Sequence, residues 1–578
     1  MAVKGKDLEA EHIVDKNKNP ALNKHREEGP WAFLRKGWFW GTLLAVVAVS
    51  VVTPLALRAQ RNWSADVTGP PTGAMLGVRE GTLGPPGGQG WGSSGHGGGT
   101  PDAGGTSAPP SCQDLAGELP TEKLTGGRPP APLRVEGGRL VTAQGGSPVT
   151  LAGITWPGFD SGATFVAGLA PRAQPSWNDS DFATAVARLR LLGFNAVRLP
   201  FTFDGLQSAP QDVAVACPSP PPTLAALSSA AVDPERPPAA GAALRPPPEP
   251  YMLPGPGAGG QCNGYVPRGP TTLSRLLWTA EFLARAGLYV TLDYRPPAAT
   301  PGAGAPASAA PAELTSPGEF ARAWQRLGAA LVCSPAWKAA LSGRIALDLL
   351  SGPAAGGLTW RGERGGSPAG DYYLAALDAL DAAGAGGALF MLAGGGAPGG
   401  GAPGGGMGSP PAAGFMAALA GRPYRTRVVV APGLAAAPAA SGALPSGPQQ
   451  WASFAANWGD LQSKGACSKA GGKEACAKYA VAAELGGRLD DAAQAAYLGD
   501  AARFLTARPP ADKAGTRPVA GWFWWSYVAD STSSGVVAAD GLALQWPTLR
   551  WLGGNLGLTP WYARQAPQQA KADSSAAP

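Results

Sequence analysis

Histidine is almost missing from this 578-residue chain: His12, His25 and His96 are the only three. Everything downstream of residue 96 therefore lacks an imidazole, which excludes Ser-His-Asp and Cys-His nucleophilic catalysis and His-ligated zinc there. Acid–base chemistry has only carboxylates, Tyr and Lys to draw on, and no metal or cofactor is expected. Charge is sparse as well. Charged residues make 15% of the chain, and 46 Lys+Arg face 40 Asp+Glu without one long basic run. A nucleic-acid partner is not expected from that balance.

Between Trp38 and Leu57 charge is absent altogether over twenty residues, WFWGTLLAVVAVSVVTPLAL. That length matches the hydrocarbon thickness of a bilayer for one helix, and Trp38 and Trp40 stand where interfacial aromatics belong. Eight Lys and Arg precede the run, from Lys4 to Lys36, whereas Arg58 and Arg61 alone follow closely. Positive-inside counting then predicts a single-pass type II membrane protein with its long C-terminal part in the secretory lumen or outside the cell. A cleaved signal peptide or a buried core helix are the alternatives. The first 36 residues are long and polar for a signal n-region.

Six cysteines suit a disulfide-permissive compartment. Cys467–Cys476 would close a short loop, and Cys217–Cys262 would staple the base of a Pro-rich insertion; six buried thiols are the alternative. Asn178-Asp179-Ser180 and, close to the predicted membrane, Asn62-Trp63-Ser64 have the glycosylation spacing.

The 84 Gly and 60 Pro are concentrated in low-complexity stretches. Their positions divide the chain into a cytoplasmic tail (1–36), a transmembrane signal-anchor helix (37–58), a Gly/Pro-rich flexible linker (59–132), a folded region (133–562) and a disordered C-terminal tail (563–578). Insertions fall near 205–260, 296–315 and 394–413. Within the folded region eight short apolar runs alternate with amphipathic stretches. The runs are Val149–Ile154, Asn195–Phe201, Tyr289–Tyr294, Ile345–Leu350, Ala388–Leu392, Arg427–Ala431, Tyr479–Glu484 and Ala520–Trp525. Helix-separated, continuously apolar strands predict a parallel sheet, and eight units predict an α/β fold of the closed (β/α)8 TIM barrel type. The insertions follow the second, third and fifth strands, which places them on the C-terminal face where such barrels keep their sites.

Several strand-end motifs resemble glycoside hydrolase family 5, the cellulase-like family, from about Leu133 to Trp561. Gly153-Ile154-Thr155-Trp156-Pro157-Gly158-Phe159-Asp160 is similar to that family's first-strand N-W-x-G-F-E/D element. Gly193-Phe194-Asn195-Ala196-Val197-Arg198-Leu199-Pro200 is similar to its G-F-N-x-V-R-L-P strand. Ala483-Glu484-Leu485-Gly486-Gly487 resembles its nucleophile element, and the run from Trp525 to Gly535 resembles its eighth strand and following loop. The resemblance implies a nucleophile role for Glu484, an orienting role for Arg198, and sugar binding by Trp156, Asp160, Tyr294, Trp360 and Trp525. Surface ion pairing for Arg198, and simple closure of the barrel top for Trp156 and Trp525, are the bland alternatives.

The pattern breaks after the fourth strand. Where the family carries N-E-P, with the general acid/base Glu, this chain reads Ser351-Gly352-Pro353. The family's D-x-H-R-P is Asp293-Tyr294-Arg295-Pro296 here, its P-H-x-Y is Pro432-Gly433-Leu434-Ala435, and its V-E-G is Leu392-Ala393-Gly394. Retaining hydrolysis needs two carboxyl groups about 5–5.5 Å apart, so three functions stay open. The chain binds polysaccharide or glycan without efficient turnover; or it is an active glycosidase using another acid, with Asp204, Glu363 and Asp530 on loops of the right face; or it is a structural surface scaffold.

Overall fold

Each of the eight predicted runs forms a strand, and the eight are hydrogen-bonded in parallel around a closed barrel. The strands are Leu151–Thr155, Ala196–Phe201, Tyr289–Tyr294, Ile345–Asp348, Leu389–Ala393, Val428–Ala431, Ala480–Gly486 and Gly521–Trp525. Neighbours in sequence are neighbours in space, and the eighth pairs back onto the first through Gly521↔Leu151 to Trp525↔Thr155. A helix follows each strand, from Phe182–Leu191 after the first to Trp546–Leu556 after the eighth. This computed structural model describes residues 108–563 apart from 170–179, 218–219, 239–259, 297–310, 352–357, 359–367, 394–412, 436–446, 464–465, 471–472, 508–517, 540 and 542.

Local chemistry starts the helices where the sequence indicates. The Thr271 side chain caps Thr272–Arg285 by accepting from the Ser274 amide, Ser316 with Pro317 opens Pro317–Cys333, and Asp491 caps Ala492–Leu505. Each such cap is worth about 1 kcal/mol. Phe182–Leu191 is capped by Asp181, whose carboxylate also accepts from the Tyr265 hydroxyl of the insertion.

The barrel interior is filled from the bottom upward. An antiparallel hairpin, Leu133–Glu136 with Arg139–Thr142, plugs the N-terminal end, and its Leu133, Val135 and Leu140 pack with Leu151, Ala196, Ala346, Leu389 and Ala480. Above this layer the Phe523 ring lies so close to Gly153 that a Cβ there would sit 2.2 Å from Cδ1. The sixth strand stops at Pro432, which has no N–H to pair; its carbonyl instead accepts from the Glu484 amide at 2.9 Å, and Gly433–Ala435 resumes pairing with the seventh strand. The backbone thus fixes Glu484 at the barrel mouth from two neighbouring strands.

Two expectations change here. The predicted flexible linker (59–132) includes residues that pack on the barrel: Cys112 is disulfide-bonded to Cys333, and the Arg128 amide donates to the Arg285 carbonyl. The insertion near 205–260 is anchored at its described parts. Val215–Ala216 pairs with Gln261–Cys262, the expected Cys217–Cys262 disulfide closes it, and Asp233 accepts two bonds from Arg550 of the last helix. Cys467 and Cys476 are backbone register partners on an antiparallel pair. Among the described residues no helix is long and apolar enough to cross a membrane. The predicted membrane segment Trp38–Leu57, Asn62, Asn178, Gly352, Trp360 and Glu363 lie outside the described residues.

Candidate active site

Side chains on a strand alternate between barrel interior and exterior, so Arg198, Asp293 and Asp348, on three consecutive strands, meet inside. Arg198 donates from Nε to Asp293 Oδ2 at 2.8 Å and from one terminal nitrogen to Asp348 Oδ2 at 2.6 Å and Ser351 Oγ at 3.1 Å. Its guanidinium lies over the Phe523 ring at 5.9 Å. All three charged groups are buried.

Glu484 stands above them with its side chain 15% exposed. Thr155 Oγ1 donates to Glu484 Oε1 at 2.7 Å. One terminal nitrogen of Arg295 donates to both carboxylate oxygens, at 2.7 and 2.8 Å, while Arg295 Nε donates to Asp293 Oδ2 at 2.7 Å. Arg198 Nε is farther from Glu484, 3.8 Å. The Arg295 guanidinium carbon also lies over the half-buried Trp525, 4.3 Å from the ring centroid, within cation–π range.

Two buried aspartates and the partly exposed Glu484 thus face two guanidinium groups, and the two aspartates differ in their protonation. Burial alone would raise Asp293, but the charges and hydrogen bonds of Arg198 and Arg295 outweigh it and hold the group below the ordinary carboxylate range. Asp348 is pushed up to about 7, chiefly by burial and further by Asp293 and Glu484, against the opposing pull of Arg198. Both arginines are held above their ordinary range because the neighbouring carboxylates outweigh desolvation.

The remaining expected residues divide clearly. Asp160 is half-buried on the loop after the first strand and accepts from the Gly158 amide at 3.0 Å; burial raises its carboxyl, with Arg295 and Asp293 close enough to act on it electrostatically. Ser351 lies at the end of the fourth strand, its amide donating to the Tyr294 carbonyl. Trp156 and Tyr294 are corrections, because both are 0% exposed. Trp156 stacks on Tyr527 and donates to the Ala167 carbonyl, whereas Tyr294 faces out of the barrel against Phe203 and donates to Glu313 at 2.6 Å. Neither has a free face for a ligand, because these large aromatic surfaces are taken up by helix packing. Asp204 and Asp530 are exposed, and Asp530 accepts from the amides of its own turn.

Arg295, Asp293, Asp348 and Thr155 had no assigned role in the sequence reading. The signal was present for the first two: Asp293 and Arg295 are two apart at a strand end, hence on one face.

No protein-family description and no curated protein matches this chain. Among solved structures, the hyperthermophilic endocellulase of the archaeon Pyrococcus horikoshii is similar at 15% identity, over 74% of this chain and 100% of that one, with a TM-score of 0.42. The catalytic domain of the major endoglucanase of Xanthomonas campestris pv. campestris is similar at 17% identity over 73% and 99%, TM-score 0.42. A β-mannanase of Thermomonospora fusca, solved with mannohexaose, is similar at 13% identity over 75% and 98%, TM-score 0.36. The barrel itself rests on the strand pairings described above.

Proposed function

We propose that this chain is a glycoside hydrolase family 5-like barrel that binds β-linked polysaccharide or glycan at its C-terminal face and is impaired in hydrolysing it. In this reading the barrel is held on the lumenal or extracellular side as a single-pass type II membrane protein. The observation that carries the glycan reading is Glu484, a strand-end carboxylate at the barrel mouth beside the half-buried Trp525. Carboxylates and flat aromatic faces at the C-terminal end of such a barrel are the groups that sugar chemistry uses.

Impairment follows from the other carboxyl groups. Asp293 and Asp348 are buried beneath Glu484 and held by Arg198, so neither reaches a leaving oxygen above it. Gly352, in the place of the family's acid/base Glu, lacks a carboxyl altogether. Loss of general acid/base help costs about 10²–10⁴ in rate. The test is cleavage of activated aryl β-glycosides with and without azide. A Glu484 nucleophile without its acid gives slow cleavage, increased by azide and abolished by Glu484→Gln. If neither wild type nor Arg295→Ala cleaves under any condition or binds a glycan array, the glycan reading fails and a structural scaffold remains.

A second reading, an active retaining glycosidase with a substitute acid, is favoured by one observation: burial raises the Asp160 carboxyl at the same mouth. In that case unactivated oligosaccharides are cleaved without azide, and Asp160→Asn removes this activity while sparing activated substrates.

A further inference from the structure

We infer that Arg295 is an internal plug of the barrel mouth, an autoinhibitory contact that covers Glu484 and the face of Trp525 together. The inference rests on the glycan reading of this site for its purpose, but its geometry stands by itself. The guanidinium is fixed from below by Asp293, bonded to both oxygens of Glu484, and laid over the indole at 4.3 Å. A pyranose ring stacking on that indole face would need the volume the guanidinium fills. A carboxylate with both oxygens committed to one cation is also a poor nucleophile, because its negative charge is neutralised and its lone pairs are engaged.

Arg198 does not share this property. It lies deeper, is 2% exposed, and spends its short bonds on Asp293, Asp348 and Ser351, leaving Glu484 at 3.8 Å. Arg295 is 22% exposed and bonds both oxygens of the 15% exposed Glu484. The barrel therefore keeps one arginine as a support for its buried aspartates and uses the other to close the mouth. Removing the second leaves Asp293 and Glu484 each with Arg198 as a cationic neighbour.

The test uses the full-length protein and two variants, Arg295→Ala and Arg295→His, the second retaining a donor for Asp293; circular dichroism melts establish which are folded. The first readout is independent of sugar: carbodiimide-driven amidation of Glu484 by a small amine, followed by peptide mass spectrometry. The second is labelling by a 2,4-dinitrophenyl 2-deoxy-2-fluoro-β-glycoside. In that step a Glu484 oxygen forms a bond to the anomeric carbon, the bond to dinitrophenolate breaks, and the phenolate leaves with the electron pair, so no proton donor is required.

Amidation of Glu484 rises about ten- to a hundredfold in a folded variant over wild type, the factor expected for losing one or two charge-assisted hydrogen bonds. A parallel rise in labelling supports the plug as a block on sugar. A rise in amidation without labelling supports the plug and sinks the glycan reading. Unchanged amidation in a folded variant, or labelling of wild type as fast as the variant, overturns the plug.

Discussion

At the barrel centre Arg198 bonds two buried aspartates, and its removal leaves Asp348 without its cation and Asp293 with Arg295 alone. Arg198→Met lowers unfolding free energy by about 3–5 kcal/mol, the usual cost of leaving buried charges unpaired, as measured by urea denaturation. Asp348 gives a pH signature. Its folded carboxyl titrates near about 7, raised mainly by burial, whereas an unfolded Asp titrates near about 3.9. Between those values the folded chain keeps a proton that the unfolded chain has released. This group's contribution is therefore full below about pH 4 and declines as pH rises to about 7. Asp293 acts oppositely, since a depressed carboxyl loses its contribution as pH falls through its folded value. Asp348→Asn removes only the first effect. Relative to wild type, its Tm is expected to improve between about pH 4.5 and pH 8, and a constant difference across that range would refute the assignment. The positions of Arg198 and Glu484 were legible from strand-end motifs. Their partners were not, because a pairing across the barrel joins residues as far apart as Arg295 and Glu484, separated by 189 positions.

Among the elements, the first and eighth strands close the barrel through a contact that admits no side chain. Gly153→Val drives a Cβ to within 2.2 Å of the Phe523 ring and destabilises by at least about 1–3 kcal/mol through overpacking. Gly499, inside helix Ala492–Leu505, has nothing within 4 Å of its added Cβ. Gly499→Ala is expected to gain about 0.5–1 kcal/mol. The contrast, read by chemical denaturation, separates packing from backbone entropy. The insertion after the second strand is another such element. Its Cys217–Cys262 bridge spans 45 positions, a loop whose opening costs about 4 kcal/mol by chain entropy. Strand periodicity made the eight barrel strands readable to within one or two residues. Trp156 and Tyr294 were misplaced because a strand end leaves open whether its last side chain turns into the mouth or out under a helix.

For the whole molecule, the boundary of the folded part decides how it behaves when shortened. Chains beginning at residue 108 and at residue 133 differ by the segment that carries Cys112 and docks on the barrel. The shorter chain leaves Cys333 without its partner and is expected to melt at lower temperature by differential scanning fluorimetry, even though both retain every barrel strand. The proposed anchor has its own check. Full-length protein should stay with membranes after alkaline carbonate extraction, and deletion of residues 37–58 should release it.

The sequence by itself determined the alternation of eight strands and helices, the strand-end position of Glu484 and the loss of a carboxyl at Ser351-Gly352, because these depend on local periodicity and residue identity. It also determined that no imidazole takes part. Only the tertiary structure decided that Arg295 rather than Arg198 grips Glu484, that Trp525 carries a guanidinium on its face, and that Asp348 is the carboxyl raised toward neutrality. Those outcomes depend on distances across a closed barrel and on burial beneath its mouth, and neither is encoded by any one strand.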